Sequence, residues 1–239
     1  MLTALILGLI AFTTSLVAGV IGFGGGLLLI AIMPQFLSGA AIIPIHSVTQ
    51  LSSNASRALF AIKDVHWPFV VPFLLGSVIG IVLFGFLLSQ LPTDYLPMVI
   101  GSYILLNLWS NSFARALKKY ESLYIIGLLQ TGLGLVVGAT GPLGMSALGK
   151  KLADSNQVIA TAALFMSISH VAKLAAFGLI GFSFADYSAV IFAMLTGSIV
   201  GSLVGTKLRH RMNGDRLIGV IKLLLTLLAI RMIYQVWAG

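Results

Sequence analysis

Gly22-Phe23-Gly24-Gly25-Gly26 interrupts a long apolar run in which Arg57 is the only charged side chain before Lys63. Four glycines in five residues do not suit a continuous helix, because each costs helix stability relative to alanine. In hydrocarbon the conflict is sharper, since broken backbone survives there only where protein buries it or a cavity borders it. The stretch therefore predicts a helix interrupted at membrane depth, with backbone amides presented to something enclosed. The rest of the chain reads as the walls around that break.

Composition sets the class. Of the 239 residues 59% are hydrophobic and 8% are charged, and the mean hydropathy is +1.07. These values predict an all-α, polytopic helical membrane protein. The net charge of +8 lies in short basic clusters between apolar segments, which is a topology signal and no nucleic-acid footprint. With Cys 0, disulfides and thiolate chemistry are excluded. The first 20 residues lack a basic leader, so they are expected to belong to the mature protein. Neither a cofactor nor a metal is expected.

Apolar segments fall at 2–36, 40–63, 68–90, 95–113, 122–149, 155–180, 186–206 and 214–238. Most match one crossing of about 20 residues. Segments 2–36 and 122–149 are broken by glycine, the second at Gly138-Ala139-Thr140-Gly141-Pro142-Leu143-Gly144. A shift of 116 carries Gly22 to Gly138, Gly25 to Gly141, Ser53 to Ser169, Asn54 to His170 and Arg57 to Lys173. A shift of 121 carries Gly76-Ser77-Val78-Ile79-Gly80 onto Gly197-Ser198-Ile199-Val200-Gly201, and Asp94 onto Asp215. These offsets predict two homologous membrane repeats, 1–119 and 120–239. Gly76, Gly80, Gly197, Gly201 and Gly205 are spaced for close helix packing.

The basic clusters test orientation. They are Lys63; Arg115, Lys118 and Lys119; Lys150 and Lys151; and Lys207, Arg209, Arg211 and Arg216. If all eight segments crossed, the positive-inside rule would fail in one half. If each broken segment enters and leaves on the same side, every cluster is cytoplasmic and the halves are inverted. Arg231 is then a mild exception near the outer face. The chain is expected to be a multi-pass protein of the inner (plasma) membrane.

The residue types at the breaks suggest chemistry. Half-helices starting after Gly24, Gly25 and Gly26, and at Thr140 and Gly141, would aim free N–H groups at the break, with Thr140 as cap. Such ends attract anions. The simpler reading of these glycines is close packing or a kink. His46, Gln50, Ser53, Asn54 and Arg57 share one face of segment 40–63, and Ser169, His170 and Lys173 sit at matching depth in segment 155–180. Snorkelling is the alternative for Arg57 and Lys173, and an interhelical hydrogen bond for His46 and His170. All six acidic residues fall at segment ends. Buried cations without carboxylates predict an anionic substrate and argue against cation transport. If protons are coupled, His46 or His170 is the candidate carrier. Dinucleotide loops and the motifs of intramembrane hydrolases are missing from the sequence.

Gly19-Val20-Ile21-Gly22-Phe23-Gly24-Gly25-Gly26-Leu27, the run to Asn54-x-x-Arg57, Lys63-Asp64 before Trp67, the second break and Ser169-His170-x-x-Lys173 resemble the TauE/SafE sulfite-exporter family. The resemblance covers essentially the whole chain. It implies a bacterial-type permease with duplicated halves, for sulfite, thiosulfate, sulfonates or related anions. The partners expected are that small anion and the lipid bilayer, with no nucleic acid; a homo-oligomer is compatible with the sequence. An anion channel, a carrier of another small carboxylate or oxyanion, and a non-transporting assembly subunit are the alternatives. The chain is not expected to be an enzyme.

Overall fold

A computed structural model describes residues 1–22, 24–88, 92–119, 121–209 and 214–238. Phe23 and Arg211 lie outside the described residues, and the side chains of Lys118, Asp215 and Arg216 are also not described. The described chain is all α-helical and contains no strand. The helices are α1 (Leu2–Ile21), α2 (Gly25–Ile32), α3 (Gly39–Phe60), α4 (Val70–Leu88), α5 (Leu96–Trp109), α6 (Asn111–Lys118), α7 (Leu123–Val137), α8 (Gly141–Lys151), α9 (Ser155–Leu179), α10 (Ser188–Leu208) and α11 (Gly214–Ala238). Five stretches are long and apolar enough to cross a membrane: Leu2–Ile21, Trp67–Phe86, Ser155–Leu179, Ala185–Leu208 and Ile218–Ala238. The chain is a polytopic membrane protein.

Both glycine stretches break their helices where expected. Gly22 ends α1 with a φ of 94°, and Gly138 ends α7 with a φ of 75°. Both angles lie in the region that glycine alone adopts without strain. After each break the chain folds back on itself. Gly25, at the start of α2, sits so close to α1 that a methyl group there would come 2.8 Å from the Ala18 Cβ. The Gly144 amide of α8 reaches Gln130 of α7 (2.9 Å). The far ends of that second hairpin meet in the Lys150–Glu121 ion pair (2.7 Å), whose hydrogen bond and then charge hold the Glu121 carboxyl below its usual range.

The expectation of one unbroken segment over 95–113 is corrected. The helix stops at Trp109, and Ser110 begins α6, its hydroxyl accepting from the Phe113 amide (3.2 Å). Serine offers the orphan amides of a helix start a local acceptor, which an apolar residue cannot. At 14 residues, α5 alone is shorter than a full crossing.

Small residues then set the helix pairing. α1 lies along α10: Gly8 faces Ala193, Gly201 faces Phe12, and Gly19 faces Gly205, so the two helices run parallel. α4 lies along α7 in the same way, with Gly127 on Phe73, Gly80 on Leu128 and Gly132 on Phe84. Backbones this close leave no room for a side chain, and van der Waals contact rather than the hydrophobic effect holds such pairs in lipid. The contacts obey the sequence offsets: 12 against 201 becomes 128 against 80 when shifted by 116 and 121. α5 and α11 run antiparallel, with Gly101 against Ala229 and the Trp109 indole donating to Thr226 (2.9 Å).

At the centre, α3 and α9 cross antiparallel. The His46 and His170 rings meet edge to face at 5.7 Å, while the His66 amide, beyond the end of α3, reaches Thr161 near the start of α9 (2.9 Å). Arg57 reaches the end of α1, and Arg209 donates to Gly19 O (3.1 Å). These contacts gather Lys63, Lys119, Lys150, Lys151 and Arg209 at one end of the bundle.

Candidate substrate site

The two breaks and the α3–α9 crossing enclose one small hollow. Its lining includes Gly24, Gly25, Gly26, His46, Gln50, Arg57, Thr140, Gly141, Ser169, His170 and Lys173. Its volume is about 30 Å³. That is room for roughly two waters. Among the described residues no carboxylate lines it.

Arg57 and Lys173 do not snorkel. They are 4% and 1% exposed. Arg57 NH1 donates to Ala18 O (2.9 Å) and Gly22 O (3.1 Å), and NH2 donates to Asn54 Oδ1. Lys173 Nζ donates to Gly138 O (2.7 Å). Gly22 and Gly138 are separated by 116, and so are Arg57 and Lys173. Each cation therefore caps the C-terminal end of the first arm of a hairpin, where helix carbonyls carry partial negative charge. A full charge meeting half a charge leaves the hollow net positive.

The second arms present the opposite pole. α2 begins at Gly24–Gly25 with no side-chain cap, and Gly24, Gly25 and Gly26 line the hollow. α8 differs. Thr140 does not cap it as expected from sequence; its hydroxyl donates instead to Gln130 O (2.6 Å), tying the break to α7. Gln130 Oε1 takes the Gly144 amide, and Gln130 Nε2 donates to Ser169 Oγ (3.3 Å). Gln130 is thus a site residue the sequence reading missed. Its signal was available, as it adjoins Thr131 in the otherwise apolar run Leu123–Val137.

Ser53 and Asn54 are not part of the lining. The Ser53 hydroxyl is taken by Ser202 of α10 (3.0 Å), and Asn54 Nδ2 donates to Gln50 O (2.7 Å) while its Oδ1 holds Arg57. Both brace the site from behind. Three buried polar atoms on lining residues lack partners among the described residues: His46 Nδ1, Gln50 Nε2 and His170 Nδ1. Buried polar atoms are seldom left unpaired without a ligand or water to meet them. The other histidine nitrogen is engaged, since His46 Nε2 donates to Gly26 O (2.9 Å).

Glycine-broken hairpins meeting at a buried, cation-lined hollow in a polytopic helical protein are the architecture of a membrane transporter. The profile of the family described as Sulfite exporter TauE/SafE matches residues 7–232, and the chain belongs to that family of membrane transporters. Comparison with curated proteins and with solved structures returned no match.

Proposed function

We propose that the chain is a secondary transporter for a small sulfur oxyanion such as sulfite or thiosulfate, or a compact sulfonate, bound in the central hollow. One observation carries the reading: among the described residues the hollow joins the uncapped start of α2, a buried lysine and three unpartnered polar atoms, without a carboxylate. The small volume favours a compact anion over one with a long organic tail. Burial of the site favours a carrier over an open pore.

The two halves, 1–119 and 120–239, act as inverted repeats. The equivalent caps Arg57–Gly22 and Lys173–Gly138 support this, as does the antiparallel crossing of α3 and α9. The moving units are composite. α1 is packed backbone to backbone on α10, and α4 on α7, so neither sequence half can rock as one body. α1, α3 and α10 move against α4, α7 and α9, with the break glycines absorbing the change. The basic end faces the cytoplasm by the positive-inside rule, which suits an inner-membrane protein.

His46 is the proposed proton carrier. Its Nε2–H is already committed to Gly26 O, so Nδ1 gains a proton only by charging the ring. An anion and a proton then travel together. Purified protein in liposomes should exchange sulfite in counterflow, accelerated by substrate on the far side. His46→Gln should retain counterflow but lose its response to a proton gradient. A flux insensitive to trans substrate would replace the carrier with a channel, and no flux of any sulfur anion would remove the proposal.

A further inference from the structure

A second cavity of about 140 Å³ adjoins the hollow and shares Gly24, Leu27 and Pro142 with it. It lies between the two breaks and the α5–α11 pair. Asn107 and Lys222 are its polar lining. It opens toward the basic end, since Asn107 precedes α6 and Ile218, another lining residue, falls in the first turns of α11.

Lys222 is the unusual member. It stands on an apolar helix, and no carboxylate among the described residues pairs with it. Its ammonium rests 4.0 Å from the centre of the Trp109 ring. That ring is fixed in turn by its indole N–H on Thr226, one helical turn below Lys222. A cation–π contact at a half-exposed site is weak enough for an anion to outcompete. The shift of 121 relates Lys222 to Gly101, so the opposite side of the molecule carries no matching cation.

We infer that this cavity is a staging site for the oxyanion on the basic side, with Lys222 as its cation and the Gly24–Leu27–Pro142 neck as the passage to the central hollow. The inference rests on the transport reading above. An arriving anion draws the ammonium from Trp109 and is handed through the neck toward Lys173. The staging cation raises local anion concentration at the neck without holding the anion as firmly as the buried site.

Trp109 reports on this directly. The chain has three tryptophans, and Trp67 and Trp237 are both exposed. In a Trp67→Phe, Trp237→Phe background, sulfite titration should change Trp109 emission saturably. Lys222→Gln should weaken that response about tenfold or more, and Lys222→Arg should restore it. Thermal stabilisation by sulfite, measured on the same samples, reports the central site. Stabilisation without any change in Trp109 emission overturns the staging site and leaves the transport reading standing. Loss of both signals in the otherwise folded protein overturns both. A response unaffected by Lys222→Gln also overturns the inference, because Lys222 would then serve only to pack against the ring.

Discussion

The two breaks share a plan and differ in what they leave free. At the first, Arg57 is held by three carbonyls, of Ala18, Gly22 and Ser53, and by Asn54, so the cation is committed to structure. The start of α2 beside it has no cap. At the second, Lys173 makes one bond among the described residues, to Gly138 O, and an ammonium has three donors. The start of α8 is partly occupied, because Gln130 takes the Gly144 amide. The free donors thus come from opposite sides: backbone amides from the first break and charge from the second. One break commits its cation and leaves its helix start uncapped, while the other holds its cation more loosely and occupies part of its helix start.

Substitutions at the equivalent cations should separate these roles most widely. Arg57→Ala strands buried carbonyls and Asn54, and should cost about 3–5 kcal/mol of stability. Thermal unfolding in detergent measures it, and loss of folded protein is the expected result. Lys173→Met removes charge while keeping bulk. Lys173→Met strands a single carbonyl, Gly138 O, and removes a desolvated charge, so the melting temperature should fall less than for Arg57→Ala. Sulfite binding should nevertheless weaken by about 30- to 100-fold, the equivalent of about 2–3 kcal/mol for a bond to a charged group. Equal behaviour of the two variants would erase the contrast.

Smaller changes sharpen it. A methyl on Gly26 would stand 3.0 Å from Gln50 Oε1 and 3.7 Å from His46 Nε2, at the amide edge of the hollow. Gly26→Ala should therefore reduce sulfite affinity by about tenfold with a stability change within about 1 kcal/mol. Gly141→Ala meets the flexible Met166 thioether instead, and should affect affinity less. Smallest in its effect on sulfite affinity, Gln130→Leu uncaps the Gly144 amide. It should lower stability by about 1–2 kcal/mol and broaden the range of anions bound, measured by a thermal-shift series.

Much of this frame was legible in the sequence because the constraints are local. Positive-φ glycines, the apolar segments and the small residues of Gly76–Gly80 and Gly197–Gly201 are each enforced by backbone geometry, and they appear as residue types. Arg57 and Lys173 were legible as buried cations, but their partners were not. A carbonyl leaves no trace in sequence, so the capping of α1 and α7 could not be read. Ser53 stood on the expected face, yet α10 crosses there and Ser202 takes its hydroxyl. Thr140 looked like a cap, but the hairpin places the Gln130 carbonyl closer. The break at Ser110 did leave a mark, the polar run Ser110-Asn111-Ser112, but reading 95–113 as one apolar segment averaged over it.

The most direct measurement uses selenite, the heavier analogue of sulfite, located by its anomalous scattering in crystals of the protein. A selenium peak is expected within hydrogen-bonding reach of the first amides of α2 and of Lys173 Nζ, absent in Lys173→Met. A peak lodged beside Arg57 and away from Lys173, or an ordered hollow without selenium at a concentration that stabilises the protein, would contradict it.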